Sequence, residues 1–330
     1  MKAAHLRLFG VPHEVVDCIE TADVGAPGDD EVVVEMLACP INPAELLLIE
    51  GKYASKPDLP ARLGIEGAGR VVAVGAAVDG LAEGDKVMSL ARTNWAQRLK
   101  LTADQVVKAP AGIDMQQLSM LKVNPATAWL MLKTYVALEP GDWVLQNAAN
   151  SAVGTSLIRL AKAEGWRSVN VVRRESLVEP LKAIGADCVV VDGDDLAARV
   201  RAASDGAEIR LAIDAIAGTA TMRLADCLVD DGTVVNYGLL SGQPCMLGAE
   251  QTIFKGITLT GFWLAKLMRG MSRAALQDMY GALMARIMDG TLRVNVEASY
   301  VLDDVAAALK HAAREGRSGK ILLTPNGPVA

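Results

Sequence analysis

From about residue 120 to residue 264 the chain alternates between short apolar strands and helical stretches. That alternation constrains the fold more than any other feature. "DWVLQNA" reads as a strand and "VGTSLIRLAKAEG" as a helix stopped by Gly165. Strand "SVNVVRR", helix "SLVEPLKAIG", strand "CVVVD" and a polar helix from about 195 follow. Strand "IRLAIDAI", a helix from Thr219 and strand "GTVVNYG" complete the series. Strands separated by single helices imply an α/β fold with a doubly wound parallel sheet. The flanks have a different texture. Residues 1 to 120 carry Val-rich runs, "DEVVVEMLA" and "GRVVAVGAAV", punctuated by "APGDD", "AEGD" and "APAGI". After "ITLTGFWLA", read as an edge strand, come a helix (273–289), a strand (294–300), a helix (302–315) and a last strand, "GKILLTP". A length of 330 residues suits two domains of ~150 each. Residues 121–264 are expected to form the doubly wound domain. Residues 1–120 and 265–330 form a second, mostly β domain.

Composition removes several function classes. The formal charge of −6 and a pI near 5.3 argue against nucleic acid as a partner. No apolar run approaches ~18 residues, so no membrane span is expected. The five cysteines, at 18, 39, 188, 227 and 245, are odd in number and form no C-x-x-C. A reduced, cytoplasmic protein is the simple reading. The start, "MKAAHLRLFG", has no signal-peptide core and no Arg/Ser-rich leader, which agrees. The three histidines, His5, His13 and His311, lack cysteine or carboxylate neighbours at ligand spacing. No metal is expected.

The candidate site begins in "QNAANSAVGTSLIRLAK", residues 146–162. A dinucleotide-binding turn, G-x-G-x-x-G, would place glycines at 149, 151 and 154. Here those positions hold Ala149, Ser151 and Gly154. The turn needs a sharp bend after a strand, close backbone approach to the phosphates and a helix start facing them. Gly154 keeps the third glycine. Ser151 can cap the helix or bond a phosphate oxygen, and Asn150 adds amide donors. The alternative is an ordinary strand-to-helix turn. The next strand ends in Arg173 and Arg174, where a dinucleotide fold that binds NAD has an acidic residue for the ribose. Two cations there suit a 2′-phosphate, so NADPH is the expected cofactor. Exposed loop charges are the alternative.

The order "CPINPAELLLIEGKY", "LGIEGAGRVVAVG", "VNPATAWLML", "QNAANSAVG", "NVVRRES", "NYGLL" and "GFWLA" resembles the medium-chain dehydrogenase/reductase superfamily across nearly the whole chain. It is most similar to the zinc-independent branch, the mitochondrial-type trans-2-enoyl-CoA/ACP reductases. Zinc alcohol dehydrogenases show Gly-His-Glu where this chain has Gly64-Ile65-Glu66, so Ile65 replaces a ligand. The resemblance implies a Rossmann domain joined to a GroES-like catalytic domain. It implies that Tyr53 assists protonation of the substrate α-carbon and that Asn124 binds cofactor. It assigns Asn150, Ser151, Ala152 and Val153 to the phosphate loop and Arg173 and Arg174 to the 2′-phosphate. Tyr237, Gly238 and Leu239 fall beside the nicotinamide, Phe262, Trp263 and Leu264 line the cleft, and Lys320 is a further cofactor contact. Two positions depart: the family's Arg-Asp-Arg is here Arg173-Arg174-Glu175, and Ala152 stands where glycine is frequent.

The activity so implied is NADPH-dependent reduction of the C2=C3 bond of a 2-enoyl thioester, hydride going to C3 and a proton to C2. The thioester draws electrons from the alkene, so the site must hold the β-carbon, stabilise the enolate and deliver a proton. A loop tyrosine packed on the surface is the plainer reading of Tyr53. A buried strand aromatic is the plainer reading of Trp263. Lys52 and Lys56 could meet an acidic acyl carrier or CoA phosphates, or be solvated charges. Two alternatives stay open: a quinone or other activated-alkene reductase, and a non-catalytic NADPH-binding protein. The apolar edge strand and the family's habit point to a homodimer.

Overall fold

The computed structural model describes residues 1–329. They divide into two compact units: Met1–Val123 with the segment from Ser272 onward, and Asn124–Met271.

The Asn124–Met271 unit is built on a six-stranded sheet, parallel throughout. Its spatial order is Cys188–Val191, Arg167–Val172, Trp143–Gln146, Ile209–Asp214, Thr233–Asn236, Thr258–Gly261. Numbered along the chain that is 3-2-1-4-5-6, the doubly wound order of a dinucleotide-binding sheet. Chain direction across the sheet reverses between Trp143–Gln146 and Ile209–Asp214. The carboxyl ends of these two strands therefore flank the switch point, where open α/β sheets bind ligands. Apolar runs such as Val169, Val171, Val172 and Leu211, Ala212, Ile213 are buried on both faces, as parallel strands under helices must be. Helix Ala152–Ala163 buries Val153, Leu157, Ile158, Leu160 and Ala161 against the sheet and leaves Lys162 out. Thr258–Gly261 lies at the exposed edge.

One stretch differs from its sequence reading. "ITLTGFWLA" is not strand throughout. Extension stops at Gly261, and Trp263 becomes the N-cap of a helix, Leu264–Arg269. Leu, Lys, Met and Arg are strong helix formers, and only the first half of the stretch has a strand to pair with. The helix expected over 302–315 is Val305–Ala312, preceded by a 3-10 turn at Leu302–Asp304.

The other unit holds a seven-stranded sheet centred on Glu31–Pro40 and Gly67–Val74, antiparallel apart from the Val296–Val301 and Lys320–Thr324 pair. A three-stranded sheet of Val16–Glu20, Lys2–Leu6 and Ala61–Arg62 packs beside it. Trp95, Leu6, Met36, Ile41 and Ile49 are among its largest fully buried side chains. Each such residue stabilises the fold by roughly 1.5–3 kcal/mol. Short helices interrupt the strands. Pro43–Ile49 starts with a capping box in which Asn42 and Glu45 satisfy each other's backbone N–H groups.

Candidate cofactor site and active-site residues

The strand Trp143–Gln146 runs into a bend at Ala148, whose φ is +47°. A left-handed alanine costs on the order of 1 kcal/mol or more, and this one turns the chain toward the helix. Ala149 is fully buried. A Cβ added to Gly154 would lie 2.5 Å from the Ala149 carbonyl oxygen, so only glycine lets the helix start this close to the strand. Ser151 caps that helix, its hydroxyl accepting from the Gly154 N–H at 3.0 Å. Ala152 and Val153 form the first turn, whose N–H groups have no partner within the helix. Asn150 is exposed at the tip. Losing two glycines has therefore not lost the turn: small residues and one left-handed alanine reproduce it.

Arg173 and Arg174 directly follow the strand Arg167–Val172. Both are exposed, and among the described residues their guanidinium groups enter no hydrogen bond or ion pair. They follow the carboxyl end of the strand beside Trp143–Gln146.

A buried polar cluster ties the strand ends together. The Asn147 amide donates to Asp214 Oδ1 at 2.6 Å, and Asn147 Oδ1 accepts from Ala215 N at 2.8 Å. Asp214 also accepts from Ile216 N, Ala217 N, the Thr221 hydroxyl and the Asn236 amide. The Asn236 amide donates in addition to Gly238 O at 3.0 Å. Gln146 links the Gly154 carbonyl to Asn170. This cluster was not legible in the sequence, where Asp214 is a lone acid at the end of an apolar strand.

Tyr237 is partly buried, and its phenol is pushed up to about 12, first by burial; a hydrogen bond with Ser151 opposes the shift and the Asp214 charge adds to it. The strand-end loop and the phosphate turn thus meet through two side chains. A Cβ on Gly238 would lie 2.6 Å from the Ala215 carbonyl oxygen, which explains glycine there. Leu239 is 59% exposed. Phe262 N donates to Asn236 O, and its ring is buried. Trp263 stacks with the Arg269 guanidinium, 5.4 Å from the ring centre. Leu264 opens the following helix, and Asn124 is buried at the start of helix Asn124–Thr134.

Tyr53 and Lys320 belong to the other unit. Tyr53 lies three residues beyond helix Pro43–Ile49 and its C-cap Glu50, and packs on the main core of that unit. Lys52 pairs with Glu50 at 2.9 Å, and Lys56 sits over the Phe9 ring. Lys320 is buried, and its ammonium donates to Asn42 Oδ1. Asn42 donates in turn to Glu66 at 2.6 Å. Burial pushes Lys320 down and both Glu45 and Glu66 up. Next to them Lys122, 5% exposed, donates to the carbonyls of Ile65, Leu90 and Ala91 at 2.6, 2.7 and 2.7 Å. Burial pushes this ammonium down to about 7, against the pull of Glu66. Cys39 donates to Asn94 O at 3.1 Å, and burial pushes its thiol well up. No group of three or more His, Cys, Asp or Glu converges among the described residues. That Glu45, Glu66, Lys122 and Lys320 are all buried has no signature in any local sequence pattern.

The Gly154 and Gly238 cradles, the 12-residue helix start and the two unpaired arginines fit a dinucleotide carrying a 2′-phosphate. Residues 28–113 match the alcohol dehydrogenase GroES-like domain family, and residues 152–286 match the zinc-binding dehydrogenase family. The chain is 35% identical over 301 residues to the mitochondrial enoyl-[acyl-carrier-protein] reductase of Dictyostelium discoideum, covering 89% of this chain and 86% of that protein. Its fold is similar to that of a solved complex of Etr1p with NADP and crotonyl-CoA, with a TM-score of 0.87, 27% identity and coverage of 98% and 99%. It is equally similar to the quinone oxidoreductase of Escherichia coli complexed with NADPH, with a TM-score of 0.87, 26% identity and coverage of 98% and 100%. The chain belongs to the medium-chain dehydrogenase/reductase superfamily and, within it, to the family of the mitochondrial enoyl-[acyl-carrier-protein] reductases.

Proposed function

We propose that this protein is an oxidoreductase that uses NADPH to reduce the C2=C3 double bond of 2-enoyl thioesters carried on CoA or an acyl carrier protein. The observation that carries the cofactor reading is the pair Arg173 and Arg174, exposed and unpaired beyond the strand that follows an intact phosphate turn. The substrate reading draws on the enoyl reductases and the crotonyl-CoA complex to which the chain is similar. When bound, the cofactor supplies hydride. The chain's own residues bind and orient. The N-terminus of helix Ala152–Ala163, with Asn150 and Ser151, would hold the pyrophosphate, and Arg173 and Arg174 the 2′-phosphate. Asn124 and Lys320 are further cofactor contacts. Tyr237, Gly238 and Leu239 form the nicotinamide-side loop, and Phe262, Trp263 and Leu264 line the cleft. Tyr53 holds a hydroxyl donor for the α-carbon. On this reading Asn124–Met271 is the cofactor unit and the remainder the catalytic unit, and no metal takes part.

The finer expectations belong to the same proposal: a homodimer paired through Thr258–Gly261, a place in fatty acid metabolism and a cytoplasmic location. The relatives to which the chain is similar are named mitochondrial. Similarity to a quinone oxidoreductase keeps one second reading, an NADPH:quinone reductase. NADPH oxidation followed with crotonyl-CoA and with naphthoquinones separates the two. Turnover of crotonyl-CoA at least tenfold more efficient is expected. Efficient quinone turnover with none of crotonyl-CoA would replace the first reading by the second.

A further inference from the structure

At the switch point of the Asn124–Met271 sheet, Asp214 is fully buried and accepts five hydrogen bonds. The donors are the Asn147 amide at 2.6 Å, Ile216 N at 2.9 Å, Ala217 N at 3.1 Å, the Thr221 hydroxyl at 2.6 Å and the Asn236 amide at 3.1 Å. All five are neutral, and Asp214 enters no ion pair among the described residues. Five hydrogen-bond donors face its oxygens, and among the described residues no cation pairs with them. A buried anion without a cation is costly, and a neutral asparagine or threonine could tie strand ends without that cost. The start of helix Thr219–Asp226 offers only a partial positive charge. A cationic ring bound nearby would meet an anion that no cation among the described residues neutralises.

The location says where it would arrive. Asp214 sits one hydrogen bond behind the Tyr237–Gly238 turn. Tyr237 N donates to Asp214 O at 2.9 Å, and the Asn236 amide bridges Asp214 Oδ2 to Gly238 O. The charge is felt at the Tyr237 phenol, which it helps to push up. We propose that Asp214 is an electrostatic positioning residue: its carboxylate stabilises the cationic ring of an oxidised nicotinamide held at the Tyr237–Gly238 turn, over the neutral reduced ring. Binding of the product cofactor is thereby strengthened, and hydride donation is favoured. Hydride transfer carries two electrons and one hydrogen to the substrate β-carbon and leaves one positive charge on the ring; the α-carbon proton comes separately. The inference rests on the NADPH reading above.

The test is calorimetric binding of NADPH and of NADP+ to the full chain, as wild type and as Asp214→Asn, Asp214→Ser and Thr221→Val. Both Asp214 variants should lose about tenfold more affinity for NADP+ than for NADPH. That is a shift of about 30 mV in the bound two-electron couple. Thr221→Val removes one donor but keeps the charge, so it should keep the wild-type ratio. Equal losses for the two cofactors in the Asp214 variants would make Asp214 a scaffold residue and overturn the proposal. So would a Thr221→Val ratio shifted as far as that of Asp214→Asn. Neutral variants that fail to fold would assign the carboxylate to folding and overturn it too. Wild type that binds neither cofactor would instead sink the NADPH reading, a failure visible before any variant is made.

Discussion

At the scale of single residues, Tyr53 and Gly154 make opposite demands on an experiment. Tyr53→Phe removes one hydroxyl and little volume, and the ring still packs on its core. Melting temperature and NADPH affinity should stay near wild type while crotonyl-CoA turnover falls by about 10²- to 10⁴-fold, the usual contribution of a positioned acid. Full turnover in that variant would make Tyr53 a packing residue. Gly154→Ala works through space. Its Cβ would be forced to 2.5 Å from the Ala149 carbonyl oxygen, so strand and helix must move apart. A clear drop in melting temperature together with lost NADPH binding is expected; an unchanged titration would show that the turn tolerates the shift. Lys122 is a third case. Replacing it by methionine leaves the partly buried carbonyls of Ile65, Leu90 and Ala91 without their donor. Denaturant unfolding should show a loss of about 1–3 kcal/mol.

At the scale of elements, Arg173 and Arg174 act as one strand end. Changing both to alanine should weaken NADPH binding tenfold or more and leave NADH nearly untouched, since only NADPH offers the 2′-phosphate. Equal affinity of the unmodified protein for both cofactors would contradict this. A second element-level contact sits in the other unit. Glu297, on strand Val296–Val301, accepts from His311 Nε2 at 2.9 Å, from Ser318 N and its hydroxyl, and from Gly319 N. It thereby joins helix Val305–Ala312 to the start of strand Lys320–Thr324. The hydrogen bond from His311, then that from Ser318 N, hold this carboxyl down at about 2. A depressed carboxylate contributes stability above its unfolded value near 4.5 and loses it as pH falls from there toward 2. The melting temperature of Glu297→Gln should therefore lie below wild type at pH 7, and the two should converge between pH 4.5 and 2. A gap that stays constant over that range would assign the effect to shape rather than charge.

At the scale of the whole molecule, assembly turns on the sheet edge Thr258–Gly261. Thr258–Gly261 ends the parallel sheet, and among the described residues no further strand pairs with its outer side. Ile253 and Phe254, in the turn just before it, are 70% and 78% exposed. A long-lived apolar edge invites pairing. Light scattering at micromolar concentration should give twice the chain mass; a monomer would refute the dimer. Elemental analysis belongs to the same scale. Ile65 stands where zinc alcohol dehydrogenases carry a histidine, and Cys39 is spent on Asn94, so no stoichiometric zinc is expected.

The sequence by itself determined the periodic parts. Strand–helix alternation depends on local side-chain spacing, so the six parallel strands from Trp143 to Gly261 could be read before any contact was known. The phosphate turn was legible for the same reason: Ser151 and Gly154 act on backbone within a few residues of themselves. Arg173 and Arg174 were legible from their place at a strand end. The helix Leu264–Arg269 was missed because apolar and polar residues there fit either period, and only the available strand partner decided between them. The distant donors to Asp214, Asn147 and Asn236, come from the ends of two other strands. The Lys122 carbonyls come from positions 65, 90 and 91. No local pattern links such residues. Their meaning as buried charges exists only once the tertiary structure removes water from around them and sets which donors and acceptors remain.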